Sequence, residues 1–219
     1  MEDLFADTFG IQFTSNIVFD AIHKTNAFEI KSKISENNKS KINFTYKETE
    51  YLYVYNIEKY ENYSGTTIMK KVIELGNKLN VKYIELCDYA MFNLGDYKDL
   101  SISLAPFHII TTGSSWYNKL GFKSDTTNDE ILENEKIINL YLCDLVDDEY
   151  CERFEENFPE IDIKNKTLKQ IFIYLKQTYI NNKPERKKMT YLQSYLLEDL
   201  TLDLYYILSY DPSLRYYFD

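Results

Sequence analysis

Gly113-Ser114-Ser115-Trp116-Tyr117-Asn118-Lys119-Leu120-Gly121-Phe122 is the stretch on which the reading of the fold turns. Ser114 can cap a short helix through its hydroxyl, and Trp116 and Leu120 then fall four apart on one face. Gly121 supplies a left-handed stop before Phe122 enters a strand. Tyr117 lies on a different face of that helix. Local chemistry therefore predicts a helix, a glycine stop, a strand and one phenol near the joint, and a reaction has to come from the surrounding chain.

Upstream, Ile17, Val18, Ala21 and Ile22 recur at helical spacing and predict a short helix over 15–24. The period then changes to two. Phe28 and Ile30 alternate, Glu36-Asn37-Asn38-Lys39-Ser40 is turn chemistry, and Ile42, Phe44 and Tyr46 alternate again, which predicts an antiparallel hairpin. Tyr51-Leu52-Tyr53-Val54-Tyr55-Asn56-Ile57 is aromatic and β-branched on both faces, as in a strand deep within a sheet. After a break around Gly65, a helix capped by Thr66 runs to about Leu79 and buries Ile68, Met69, Val72, Ile73 and Leu79. Gly76 inside it costs about 1 kcal/mol relative to alanine, so it marks either close packing on the sheet or a tolerated weakness. Val81 to Cys87 is the next strand, completing a β-α-β unit whose crossover is right-handed and whose strands are parallel.

Downstream, Leu100 to Ile110 reads as a helix, with a strand followed by a helix as the alternative because of Pro106. Past Phe122, an acidic connection from Ser124 to Glu135 leads to a strong apolar run, Ile137 to Leu145, read as a final strand. From Asp147 onward the strand signal disappears. Leu168, Ile171, Phe172 and Leu175 form one helical stripe, and Leu192, Leu196, Leu200, Leu204 and Leu208 form a second. Residues 1–147 are thus expected to form an α/β (α+β) domain, and 148–219 a helical C-terminal extension that packs on it or presents a face to a protein partner.

Composition narrows the function classes. Of 219 residues, 16% are aromatic with 21 tyrosines, and only 6 are glycine and 4 proline, the profile of a packed core. Frequent Ile, Asn, Lys and Tyr fit an AT-rich genome. A formal charge of -10 argues against a nucleic-acid surface, which needs clustered cations, and favours cationic ligands. The one dense basic patch, Lys183 to Lys188, reads as a solvated loop. Cys87, Cys143 and Cys151 lack paired spacing and are expected to be buried free thiols in a reducing, cytoplasmic compartment. His23 and His108 lack neighbouring ligand motifs, so no metal site is expected. The opening Met1-Glu2-Asp3 is unlike a secretory signal, and no run has the length of a membrane span.

The order of three strands, glycine turn, helix, strand, helix, Gly-Phe and strand over residues 50–145 resembles the GNAT superfamily of N-acyltransferases. Tyr117-Asn118-Lys119-Leu120-Gly121-Phe122 is similar to that family's Tyr-x-x-Leu-Gly-Phe signature. The resemblance implies a mixed, mostly antiparallel sheet with a central splayed pair of parallel strands, and an acyl-CoA, most simply acetyl-CoA, lying between them. It implies pyrophosphate binding by backbone N–H groups at the start of the helix after the first strand of the pair, where unpaired donors and the helix dipole favour anions. The family pattern there is Gln or Arg, two residues, Gly, one residue, then Gly or Ala. Asn62, Tyr63, Ser64, Gly65, Thr66 and Thr67 occupy those positions, and only the first glycine is kept.

The implied reaction is direct attack of an amine, on a small molecule or a protein, on the thioester. Backbone near Ile57 would orient the pantetheine arm and polarise the carbonyl. Tyr117 would protonate the departing CoA sulfur. Glu85 and Asp88 on the second parallel strand, or Glu58 beyond the first, are the candidates for the base. Two departures accompany the resemblance: Tyr89 to Thr112 is inserted before the Gly-Phe element, and the N-terminal part is one helix short. A GNAT-like module without catalysis, acting in structure or protein interaction, is the second reading.

Overall fold

The computed structural model describes residues 8, 13–20, 25–32, 40–47, 50–57, 64–94, 97, 99–180 and 188–218. These form a mixed α+β fold with an open six-stranded sheet and six α-helices among the described residues. The chain divides into two compact units. The first comprises 1–87, 120–124 and 212–219, and the second 88–119 and 125–211. The divide does not fall at residue 147, where the sequence suggested a boundary.

The first unit is built on the sheet, in the order β1 (Phe13–Asp20), β2 (Thr25–Ser32), β3 (Ser40–Lys47), β4 (Tyr51–Ile57), β5 (Tyr83–Cys87) and β8 (Ser213–Tyr217). All neighbours are antiparallel except β4 and β5, which are parallel. Their crossover is helix α1 (Gly65–Lys78), as the β-α-β reading predicted. The helix expected over 15–24 is instead β1, paired residue for residue from Phe13↔Ser32 to Asp20↔Thr25. A two-stranded ladder overrides a weak helical period in so short a window. The turn tip around Glu36 to Lys39 lies outside the described residues.

Alternation explains how the sheet takes its core. On β5, Ile84 and Leu86 are buried while Tyr83, Glu85 and Cys87 are half-buried. Leu52 and Val54 on β4 and Leu214 on β8 lie opposite Ile84 and Leu86 in the ladders. Helix α1 lays Ile68, Met69, Val72 and Leu75 into this core. Gly76 marks close packing: a Cβ there would come within 2.9 Å of both Ile84 Cδ1 and Phe218 Cζ. On the opposite face of the sheet, Tyr51, Tyr83 and Tyr217 stand in a cross-strand row with ring centroids 5.8 and 5.7 Å apart, and the Arg215 guanidinium lies over Tyr83.

Strand β8 corrects the expectation of a wholly helical extension. The chain leaves the sheet after Ser124, returns at Pro212 and adds β8 against β5, while Lys123 pairs with Arg215 on the other side of β8. The strand expected at Phe122 is this single bridge. Gly121 has a left-handed φ of 97°, and a Cβ there would lie 2.9 Å from the Tyr216 ring, so both backbone and space require glycine.

The second unit is mainly helical. A short ladder of β6 (Met91–Asn93) and β7 (Ser101–Ser103) leads into α2 (Leu104–Thr112), the strand-then-helix alternative, with Pro106 tolerated in the first turn. Helices α3 (Thr127–Ile137), α4 (Asp148–Asn157), α5 (Leu168–Leu175) and α6 (Tyr191–Ile207) follow. Phe107, Ile110, Phe154, Phe158, Phe172 and Leu200 lie at the heart of its core. The strand expected from Ile137 to Leu145 is the end of α3 and a 3-10 turn at Leu142–Asp144. Ile138 and Leu142 are buried and Leu140 and Tyr141 exposed, a spacing of four that suits a helical core. Helices α5 and α6 each begin with a capping box, Thr167 with Gln170 and Thr190 with Gln193.

Candidate functional site

The parallel ladder of β4 and β5 is short. Their ladder extends from Tyr51↔Tyr83 to Val54↔Leu86, while β4 continues to Ile57 paired only with β3. At the same point β4 carries a bulge: Asn43 opposes Asn56 but Phe44 opposes Val54, leaving Tyr55 as the extra residue. A bulge withdraws one residue from its ladder and increases the local twist of the strand. Tyr55 is exposed. Ile57, expected to help hold the pantetheine arm, closes β4 opposite Ile42.

The chain reappears at Ser64, the N-cap of α1, and Ser64 rather than Thr66 is the cap because its Oγ accepts from Thr67 N at 3.1 Å. Ser64 Oγ and Thr67 Oγ1 are also 2.9 Å apart. Ser64 and Thr67 are exposed, Gly65 and Thr66 half-buried, and the first turn carries no acidic residue. Of the amides in this turn, Thr67 N is already engaged by its own cap. Asn62, Tyr63 and Glu58 lie outside the described residues.

Glu85 is brought to a structural pairing rather than to a reactive one. It stands opposite Arg215 in the β5–β8 ladder, with Arg215 Nη2 donating to Oε1 at 3.3 Å. Two residues on, the Cys87 thiol accepts from Tyr53 Oη at 3.3 Å, and burial together with that thiol raises the Tyr53 phenol above its usual value. Cys87 is the free cysteine, whereas Cys143 and Cys151 are joined as a disulfide with Cα atoms 5.4 Å apart. That corrects the expectation of free thiols for these two: eight residues apart, they are brought together by the 3-10 turn and the first turn of α4.

The other two candidates, Asp88 and Tyr117, come together in the second unit. Asp88 is 2% exposed, accepts from Tyr210 Oη at 2.7 Å and from Ala90 N at 3.4 Å, and is raised above the usual carboxylate range chiefly by burial. Tyr210 is itself raised by burial and by the Asp88 charge, with a hydrogen bond from Ser115 acting the other way. Tyr117 is 8% exposed; burial first and the Asp88 charge second hold its phenol protonated. The turn bearing Tyr117 is not the helix expected from Ser114. It is a 3-10 turn at Asn118–Leu120, closed by Ser115 and Asn118, each accepting from the other's backbone N–H at 3.2 and 2.9 Å. The preceding helix α2 stops at Gly113, where φ is 85°.

Tyr210 and Arg215 are the residues that sequence reasoning missed. No local signal links Tyr210 to Asp88 across 122 residues. Arg215 could have been found, because Leu214-Arg215-Tyr216-Tyr217-Phe218 after Pro212 is a short strand-like run. No helix among the described residues is long and apolar enough to cross a membrane. Comparison with family models, with curated proteins and with solved structures finds no match to this chain.

Proposed function

We propose that the protein is an acyl-CoA-dependent N-acyltransferase, acting most simply from acetyl-CoA on an amine. The observation that carries this reading is the parallel pair β4 and β5 joined through α1, whose ladder ends at Val54 and Leu86 beside a bulge at Tyr55. An extended, largely apolar arm can align with the backbone of a strand edge. The N-terminus of α1, where Gly65 and Thr66 are half-buried, would supply amides for the pyrophosphate.

The GNAT resemblance, not the placement of the two units, gives Tyr117 the role of the acid that protonates the CoA sulfur as the thioester breaks, and burial with the Asp88 charge keeps its phenol protonated. By the same resemblance Asp88, raised in pKa chiefly by burial and hydrogen-bonded by Tyr210, is the candidate to receive the proton lost by the amine. Glu85 is set aside as a base, since Arg215 pairs with it. The preference for a cationic amine agrees with the charge of -10.

The test follows thiol release from acetyl-CoA in the presence of primary amines, with Tyr117→Phe beside the unaltered protein. Loss of a general acid is expected to lower turnover by about a hundredfold with little change in acetyl-CoA affinity. Unchanged turnover would remove Tyr117 from the mechanism. The second reading, a GNAT-like module without catalysis, is favoured by one feature: Ser64 already occupies the Thr67 amide that a phosphate would use.

A further inference from the structure

Helix α6 has two faces: one is buried in its own unit, and the other is largely exposed, with Tyr191 edge-on to Tyr97 and Tyr206 edge-on to Tyr205. Leu196, Leu197, Leu200, Thr201 and Leu204 are buried. On the opposite arc, Tyr191 is 51% exposed, Tyr195 43%, Leu202 48% and Tyr206 84%. At about 100° per residue these four fall within about 60° of one another, one continuous apolar stripe along the helix. Three tyrosines and a leucine in a row amount to a patch rather than scattered surface hydrophobics.

Within α6 itself the charge has one sign, while exposed Lys188 lies three residues before Tyr191. Residues 191–207 contain Glu198, Asp199 and Asp203 and no Lys or Arg. Glu198 is turned inward to accept from Ser101 N at 2.8 Å, whereas Asp203 is exposed and Asp199 half-buried beside the stripe. Helix α4 packs on α6, tied by Tyr150 Oη donating to Leu196 O; of its exposed or half-buried acids, Glu155 pairs with Lys164 at 2.8 Å, while Asp148, Glu149, Glu152 and Glu156 outnumber Arg153, the cation within the helix. Asp199 and Asp203 both act on the Tyr150 phenol, which places their charge at the α4–α6 joint.

We propose that this face of α6 is a docking surface for a basic amphipathic helix, whose leucine-type side chains lie along Tyr191, Tyr195, Leu202 and Tyr206 and whose Lys or Arg side chains meet Asp199, Asp203 and the acids of α4. Tyrosine suits this role, since its ring offers apolar area and a face for a cation. A second copy of the chain suits it poorly, because antiparallel pairing about the middle of α6 would set Asp199 and Asp203 against their own counterparts. An anionic membrane is disfavoured by the same charge. The inference holds whether or not the protein is an acyltransferase.

The test uses the full chain and a fluorescent synthetic helix of about 18 residues, with leucines on one face and lysines elsewhere. Two control peptides separate the contributions: glutamate in place of lysine, and serine in place of leucine. The leucine–lysine peptide is expected to bind, and each control at least about tenfold more weakly. Leu202→Glu and Tyr206→Ser, both at exposed positions, are each expected to weaken it about tenfold, while Leu140→Glu, exposed elsewhere in the unit, leaves it unchanged. Equal binding of the serine–lysine peptide, or no effect of either α6 substitution, overturns the proposal. So does self-association of the unaltered chain that Leu202→Glu abolishes, which would assign the face to a second copy.

Discussion

Asp88 owes its hold in the second unit to one strong donor, the Tyr210 hydroxyl, and the two groups are unequal partners. A buried acceptor or donor left alone costs about 1–3 kcal/mol, more than the bond itself contributes. Asp88→Leu deprives the Tyr210 hydroxyl proton of its carboxylate acceptor, leaving the bond with Ser115, and is expected to destabilise toward the lower end of that range. Asp88→Asn keeps an acceptor and removes a charge that burial already disfavours, so it is expected to be neutral or stabilising. Urea unfolding of the pair checks this, and equal losses in both variants would contradict the assigned hydrogen bond. His108 poses a different problem at the same scale. Its Nδ1 is buried with no hydrogen-bond partner among the described residues, and burial, then Lys176 and Lys119, lower its pKa to about 4 from 6.5. Between those values the unfolded chain binds the proton and the folded chain does not. The His108 contribution is therefore complete above 6.5 and is lost as pH falls toward 4. His108→Gln is expected to flatten the fall in stability between about pH 7 and about pH 5, measured by urea unfolding, and an unchanged slope would contradict the buried neutral imidazole.

Among the elements, α1 links the fold to the proposed ligand through its first turn. Ser64 caps Thr67, and no acid occupies that turn. Thr67→Glu would create a Ser-x-x-Glu capping box and place a negative charge near the helix dipole, contributing about 0.5–1 kcal/mol of stability. The same charge repels a pyrophosphate. Thermal unfolding is expected to rise while acetyl-CoA affinity falls, and a parallel loss of both would mean that the substitution acts through misfolding. The elements legible in the sequence were those with a strong period and clear ends: the β2–β3 hairpin, β4, α1, β5, α5 and α6. The helix stripes survive because each is long enough to average over local exceptions. The run from Ile137 to Leu145 misled because a short apolar segment has no period of its own, and only the buried pair Ile138 and Leu142 reveals a helical core. The turn at Tyr117 was placed correctly and typed wrongly, since Ser115 and Asn118 close a tighter turn than a Ser114 cap would begin.

At the scale of the whole molecule, the chain interleaves two units instead of placing them end to end. The sheet is completed by residues at both ends of the helical segment, Lys123 and Ser213–Tyr217. Sequence reading works along the chain and so assigned everything after Asp147 to one extension. It could not see that β8 returns to β5, nor that Tyr210 reaches Asp88, because both are set by long-range pairing. The parallel pair was legible from strand, helix and strand, but the bulge at Tyr55 was not, because it depends on which residues of β3 that strand faces. Acyl-CoA binding along β4 and the start of α1 is what the proposed function requires first. The most direct test is a calorimetric titration of acetyl-CoA into the unaltered protein and Thr67→Glu. The account predicts saturable, one-site binding to the first and a clear loss in the second. No binding to the unaltered protein at millimolar ligand would contradict it.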